Sequence, residues 1–293
     1  MDVYSEYEKY FNEDQNISRR KLAKKCNISE QKARSICAYF KEKRKNNGII
    51  KRGIAVGDLH SPYEDKKCFK ILLEFIKDFN PDYFILGGDQ NDFGMISTFD
   101  RKKVGNIESK RVNEDYIYCQ ENILNPIESL LKPECEKVWI IGNHDARVNR
   151  LIEVDPQFEG YIEVENNLDL DDWIVIPENK AYSVGHLNFI HGNTCVQWHA
   201  KKNLDTYAKH VVNFHVHTNQ IFTKVTPLDE LPQQGVSVGC MCHLNPKYMK
   251  NKESAWLNQF FYFYMFSDGS FVQNIVTILN GRTIINNKLY EGK

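Results

Sequence analysis

Five short apolar runs punctuate the middle of the chain: Ile54-Ala55-Val56, Tyr83-Phe84-Ile85-Leu86, Val138-Trp139-Ile140-Ile141, Leu187-Asn188-Phe189-Ile190 and Val211-Val212-Asn213-Phe214. Runs this short, rich in β-branched and aromatic residues, predict buried strands. Between the first two, Cys68, Ile71, Leu72, Phe75 and Ile76 recur at helical spacing, and residues 116–131 read as a second amphipathic helix. Strands alternating with helices predict an α/β layer fold in which helices cover the strands. Phe260-Phe261-Tyr262-Phe263-Tyr264 reads as one more central strand; residues 219–238 read as strands joined by loops, and residues 168–183 fit neither pattern.

The first 48 residues are built differently. Leu22, Cys26, Ile28, Ala33 and Ile36 fall where a helix-turn-helix buries its apolar side chains. Ala23 stands where the two helices need a small residue, and Asn27 in the turn, where a left-handed residue is expected. Ser29 is a good N-cap, although Lys32 rather than Glu or Gln follows three residues on. A second helix over residues 30–40 would expose Gln31, Lys32, Arg34 and Ser35 toward a groove, with Arg19, Arg20, Lys24 and Lys25 placed for phosphates. The run Lys41-Glu42-Lys43-Arg44-Lys45 would extend that footprint.

Charge marks the same boundary. Residues 17–45 hold eleven basic and two acidic side chains, a net +9, which leaves −10 for the rest of a 293-residue chain whose overall balance is −1. The overall balance therefore says nothing about nucleic acid; the signal is local. Asn46-Asn47-Gly48 reads as a break. The expected organisation is a small all-α, helix-turn-helix-like basic domain at 1–48 and a large α/β domain at 49–293.

Each apolar run leads directly into polar residues of metal-binding type. Gly57-Asp58-Leu59-His60 follows the first, Gly87-Gly88-Asp89-Gln90-Asn91-Asp92 the second and Gly142-Asn143-His144-Asp145 the third. His191-Gly192 and His215-Val216-His217 follow the last two. Side chains at the carboxyl ends of strands in an α/β sheet converge on one crevice, so five clusters predict one site. Carboxylates, an amide oxygen and imidazoles, with no thiolate among them, suit Mn²⁺, Fe²⁺ or Zn²⁺. That many ligand-capable residues exceed what one tetrahedral ion takes; they suit two ions sharing a carboxylate, the arrangement that activates water against phosphate esters. Glycines before Asp58, Asp89 and Asn143 would let the chain turn sharply and bring backbone close to the ions.

These five motifs, D-x-H, G-D-x-x-D, G-N-H-D, H-G and H-x-H in that order over about residues 50–220, resemble the signature of the calcineurin-like metallophosphoesterase superfamily. The resemblance implies a four-layer α/β/β/α sandwich. It implies that Asp58, His60 and His217 bind a first ion, that Asn143, His191 and His215 bind a second, and that Asp89 bridges both. It further implies that His144 protonates the leaving oxygen or stabilises phosphoryl charge, with Asp92 orienting it, and that a hydroxide activated between the ions attacks phosphorus in line. Two departures stand out. The last motif usually begins with Gly, and Phe214 in its place is expected to shift the strand end or wall off one side of the pocket. Protein Ser/Thr phosphatases of the superfamily carry Arg after the G-D-x-x-D unit, whereas this chain has Phe93, which argues against a phosphoprotein substrate.

Composition narrows the setting. No basic stretch leads into an apolar run at the N-terminus, and the longest apolar-aromatic stretch, residues 260–266, is too short to span a bilayer, so neither secretion nor a membrane partner is expected. Eight scattered cysteines without a C-x-x-C pair read as reduced thiols of a cytoplasmic protein, and Cys240-Met241-Cys242-His243, lacking a second pair, reads as packed side chains. Taken with the basic domain, the site predicts a dimetal phosphodiesterase with nucleic acid as partner. Specifically, the expectation is a nuclease on DNA more than RNA, using Mn²⁺ ahead of Fe²⁺, Zn²⁺ or Ni²⁺. The alternative is a phosphodiesterase or phosphatase for small nucleotides or other phosphoesters, with the N-terminal domain serving regulation or assembly. A third possibility is a DNA-targeted binding protein whose phosphoesterase fold barely turns over.

Overall fold

The computed structural model describes residues 4–13, 17–46, 50–97, 111–227, 232–246 and 253–293. Asn47 and Gly48 of the expected break, and the side chains of residues 41–46, lie outside the described residues. The chain forms two compact units, Met1–Ile50 with Phe266–Ser270, and Lys51–Met265 with Phe271–Lys293.

The N-terminal unit contains helices α1 (Glu8–Glu13), α2 (Arg19–Cys26) and α3 (Glu30–Asn46). Ser18 Oγ accepts from the Lys21 N–H at 3.3 Å and caps α2, which ends at Asn27 in the left-handed conformation, φ 51° and ψ 47°. Ser29 Oγ accepts from the Lys32 N–H at 3.2 Å, so the cap forms with lysine at the third position. Leu22, Ala33 and Ile36 are fully buried, and Phe11 stacks on Phe40 with ring centroids 4.3 Å apart.

The second unit is built on two sheets. In the first, β1 (Lys51–Val56), β2 (Tyr83–Leu86), β3 (Glu136–Ile140) and β4 (Trp173–Ile176) run parallel. The antiparallel strands β10 (Asn258–Met265) and β11 (Phe271–Ile278) extend it to the order β11-β10-β1-β2-β3-β4. The second sheet, in the order β5-β6-β7-β9-β8, comprises β5 (Tyr182–Val184), β6 (Leu187–Ile190), β7 (Val211–Asn213), β8 (Gln220–Lys224) and β9 (Gln233–Ser237). A hairpin of β12 (Arg282–Ile285) and β13 (Lys288–Glu291) closes the chain.

Side-chain alternation turns these sheets into layers. Ala55, Ile85, Val138, Phe261 and Phe263 of the first sheet bury against Leu187, Phe189, Val212 and Val236 of the second. From the opposite face of the first sheet Ile54, Phe84, Trp139 and Phe260 meet the apolar side of α4 (Lys66–Phe79) and the helical stretch α5 (Val112–Cys119). That stretch continues through a π-turn, Gln120–Leu124, into α6 (Asn125–Glu128), so the helix expected at 116–131 is one element over 112–128 with a wide turn inside it. On the outer face of the second sheet lies α9 (His199–Tyr207); Gly235 lets it in, since a Cβ there would stand 2.0 Å from the Ala200 carbonyl. Two short helices, α7 (Arg147–Val154) and α8 (Val164–Asn167), follow β3. The architecture is helix, sheet, sheet, helix. Residues 168–183, ambiguous by pattern, supply β4 and the start of β5. Among the described residues no helix is long and apolar enough to cross a membrane, and all eight cysteines are free thiols.

Candidate metal centre

The strands set the site. Asp58 and His60 follow β1, Asp89 and Asp92 follow β2, Asn143 and His144 follow β3, His191 follows β6, and His215 and His217 follow β7. Both sheets therefore contribute strand ends to one place. The loops that turn there are strained: Asp58, His60, Asp89, His215 and His217 all have φ between 50° and 79°, a region β-carbon sterics disfavour. Backbone bonds hold the turns, with Asp58 N–H donating to the Gly88 carbonyl and His60 N–H to that of Asp89, both at 2.9 Å. At Gly142 a Cβ would lie 2.2 Å from Asp89 Oδ1, so only glycine lets the Asn143 loop approach that carboxylate.

Each carboxylate has one oxygen fixed by backbone and the other turned inward. Asp58 Oδ2 accepts from the His215 N–H at 2.9 Å, while the fully buried Oδ1 has no hydrogen-bond partner and lies 3.4 Å from His217 Nε2 and 3.9 Å from His60 Nε2. Asp89 Oδ1 accepts from the His144 N–H at 2.6 Å, while Oδ2 lies 3.2 Å from His191 Nε2 and 4.0 Å from His60 Nε2. The imidazoles are oriented likewise. His191 Nδ1 is bonded to the Gly87 carbonyl at 2.8 Å, leaving Nε2 toward Asp89 and, at 3.1 Å, Asn143 Oδ1. His60 Nδ1 faces Asp92 Oδ1 at 3.2 Å, leaving Nε2 3.2 Å from His217 Nε2. His215 offers a donor within 4.8 Å of those of Asp89 and His191.

These spacings fit divalent ions. Donors about 2.1 Å from a tetrahedral ion stand roughly 3.4 Å from one another. The Asp58, His60 and His217 atoms are separated by 3.2, 3.4 and 3.9 Å, and His191 Nε2 lies 3.1 and 3.2 Å from its two neighbours. Asp89 Oδ2 lies between the two groups. All seven sequence-expected ligands thus come together, and the buried, unpartnered Asp58 oxygen is what a cation would satisfy.

Electrostatics carry the same demand. Burial favours the protonated form of Asp89, yet the surrounding histidines, His191 foremost, outweigh it and hold the carboxyl well below its ordinary range. Burial also opposes charge on His191 and His217, but Asp89 beside the first and Asp58 beside the second raise them to about 10 and about 9. In the metal-free protein at pH 7, protons on these two rings do the work of cations. Ligation needs both rings neutral, so these two rings are expected to release about two protons per chain as both positions fill, and affinity should rise with pH up to about 9 at the His217 position and about 10 at the His191 position. Titration calorimetry in buffers of different ionisation enthalpy measures this; heats independent of buffer would contradict it.

His144 and Asp92 also reach the centre. His144 Nδ1 lies 3.1 Å from the Asp92 carbonyl and 3.2 Å from its Oδ1, so Asp92 faces His60 and His144 at once. Three residues carry structure or charge that the motifs did not assign. Asp145, the last residue of the third motif, is fully buried and accepts from Asn91 N–H, Gly142 N–H and Trp139 Nε1–H, which ties the loops after β2 and β3 to strand β3. Burial, with Asp89 nearby, pushes it up to about 6. Arg147, one helical turn beyond His144, donates from Nη1 to the Asp92 carbonyl at 2.5 Å and sets Nη2 3.1 Å from His144 Nε2. A basic residue three positions after the histidine was the available signal. Cys242 comes near through an isolated bridge to Glu64; its signal was the Cys240-Met241-Cys242-His243 run, read as packed side chains because it lacks a second pair.

The two departures resolve into the core. The Phe214 ring is fully buried between the sheets, in the space that glycines 57 and 87 leave: a Cβ on Gly87 would stand 2.2 Å from it and one on Gly57 2.8 Å. It therefore lies beneath the site instead of walling off the pocket, and its N–H still pairs with the His191 carbonyl at 2.9 Å. Phe93 is also fully buried, edge-on to Tyr116 with centroids 5.0 Å apart. In the N-terminal unit Arg19, Arg20, Lys24, Lys25, Gln31, Lys32 and Arg34 are all exposed. Arg19 and Arg20 stand 3.9 and 3.8 Å from Glu30, and Lys25 stands 3.0 Å from Glu13.

Residues 52–259 match the family model of the calcineurin-like phosphoesterases. The chain is 25% identical over 260 residues to the gene 54 protein of Mycobacterium phage L5, a match covering 83% of this chain and all of that protein. Among solved structures it is similar to vacuolar protein sorting 29 from Cryptosporidium parvum, with 15% identity and a TM-score of 0.43 over 83% of this chain and 98% of that one. It is also similar to the nuclease MPE of Pseudomonas putida, with 13% identity and a TM-score of 0.31 over 74% and 84% of the two chains.

Proposed function

Because the chain belongs to the calcineurin-like phosphoesterase family, we propose that this metal-dependent phosphoesterase is a nuclease that hydrolyses phosphodiester bonds of nucleic acid, DNA before RNA, with Mn²⁺ as the working ion. The observation that carries the substrate class is the joining of this site to a segment of net +9 at residues 17–45, whose basic side chains at 19, 20, 24, 25, 32 and 34 are exposed. A polyanion is the partner such a surface recruits. Residues 1–48 are accordingly read as the module that holds the substrate and residues 49–293 as the one that cuts it.

Two bound divalent ions supply Lewis acidity and a nucleophilic water at neutral pH. Asp58, His60, His217, Asn143, His191, His215 and the shared Asp89 would hold them. The chain's own residues do the rest. Arg147 and His144 form a cationic and hydrogen-bonding corner beside the first group, where a phosphoryl oxygen is gripped and the leaving oxygen receives its proton. Asp92 fixes the angle of both His60 and His144.

The test is a Mn²⁺-supplemented assay on end-labelled DNA and on a small chromogenic diester, comparing the full-length protein with the Lys24→Ala, Lys25→Ala, Lys32→Ala, Arg34→Ala combination. The diester rate should be unchanged within about twofold, while DNA affinity falls and its log–log salt slope shrinks by roughly 0.9 for each phosphate that is no longer neutralised. Equal DNA affinity in the two proteins would remove the basic segment from substrate binding. Diester cleavage with DNA untouched by both would point to small nucleotides instead.

A further inference from the structure

The thiol of Cys242 stands beside two donors of the first candidate ion, His60 and His217. One donor atom from each of His60, His217 and Cys242 lies within 4.8 Å of the other two, and all three side chains are buried. Backbone pairing puts it there. Met241 N–H donates to the Asp58 carbonyl at 3.1 Å, Cys242 bridges antiparallel to Glu64, and His243 N–H donates to the Tyr63 carbonyl at 3.0 Å. Asn258 Nδ2 donates to the Cys242 carbonyl at 2.8 Å. The segment carrying Cys242 is thus stitched along the loop that carries Asp58 and His60. Beside the same histidines lies Asp58 Oδ1, completely buried and 3.4 Å from His217 Nε2, a carboxylate oxygen that needs positive charge beside it.

We propose that Cys242 supplies a thiolate to the ion held by Asp58, His60 and His217, and thereby selects a softer ion, Zn²⁺ or Fe²⁺, at that position. The inference rests on the metal-centre reading given above. Imidazole and carboxylate donors accept the whole range from Mn²⁺ to Zn²⁺, whereas a thiolate favours the softer end. On ligation the Sγ–H bond breaks, its proton passes to solvent and the sulfur electron pair goes to the ion, with no change of oxidation state. The position of Asn143, His191 and His215 differs: the thiol near it, Cys195, is exposed and touches one histidine, His215 Nε2, at 3.3 Å, whereas Cys242 is buried beside two. The two ions would then be inequivalent, a softer one at the Cys242 end and the Mn²⁺ of the proposed function at the other.

The experiment loads the full-length protein with Co²⁺, counts the metal by elemental analysis and records the near-ultraviolet absorption. Two cobalt ions per chain with a sulfur-to-cobalt charge-transfer band are expected. The band should survive Cys195→Ser and Cys240→Ser and disappear in Cys242→Ser, in which the preference of one position for Zn²⁺ over Mn²⁺ should also fall by about tenfold or more. Two bound cobalt ions without the band in the wild-type protein would overturn the thiolate assignment while leaving the metal centre intact; failure to bind cobalt at all would overturn both. A band that persists in Cys242→Ser overturns the assignment too. Should that variant fail to fold, an intact band in the Cys195→Ser, Cys240→Ser double variant supports it, and a lost band overturns it.

Discussion

Asp89→Asn is expected to cost the protein at least one of its two ions and more than about 10²-fold in turnover, since even residues that only orient a ligand are worth 10–100-fold. The two oxygens of this carboxylate have different tasks. Oδ1 takes the His144 N–H and sits against Gly142, so it is committed to holding the loop. Oδ2 stands between His191 and His60 and belongs to both groups of donors. An amide keeps the size and can keep the Oδ1 bond, but it removes the negative charge that draws cations to both positions. It would also turn an NH₂ group toward His191 Nε2 and His60 Nε2. Asp89 is the main reason His191 is raised, so the variant should also bind metal with a weaker dependence on pH. Elemental analysis after dialysis, beside kcat on the chromogenic diester, decides the matter; two tightly held ions per chain would exclude Asp89 as the bridge.

How much of this site the sequence revealed depends on where each part of it resides. Asp58, Asp89, Asn143, His191 and His215 each follow an apolar run directly or after at most two intervening residues, so both the strand and its functional end were written locally. The same locality explains the cap at Ser29 and the left-handed turn at Asn27. What stayed hidden is relational. Asp92 was expected to orient His144, and only the folded chain shows His60 at the same distance from the same oxygen. Phe214 reads as a misfit in its own motif because the cavity that receives it is cut by glycines 57 and 87, more than a hundred residues away. Cys242 belongs to a segment that reaches the first strand loop through Asp58, Tyr63 and Glu64, and no spacing along the chain encodes such a pairing.

His144→Ala should leave both ions in place and lower turnover by about 10²–10⁴-fold, the usual scale of a lost proton donor. Metal should be retained because the seven donors that would hold the ions are other residues, and because alanine keeps the backbone N–H that fixes Asp89. His144 also lies near His60 and Asp89, and a lost ion would make it a ligand instead. Leaving groups separate the two remaining functions. A nitrophenolate departs without help, whereas the alkoxide released from DNA must be protonated as it leaves. If His144 delivers that proton, the variant loses far more activity on DNA than on the chromogenic diester; if the imidazole only grips phosphoryl oxygen, both substrates lose equally. Asp92→Asn should then reproduce most of the His144→Ala effect on DNA, with the double variant little worse than either alone, because one hydrogen-bonded pair is being removed twice. It should add a modest weakening of the first ion, since the same carboxylate also steadies His60.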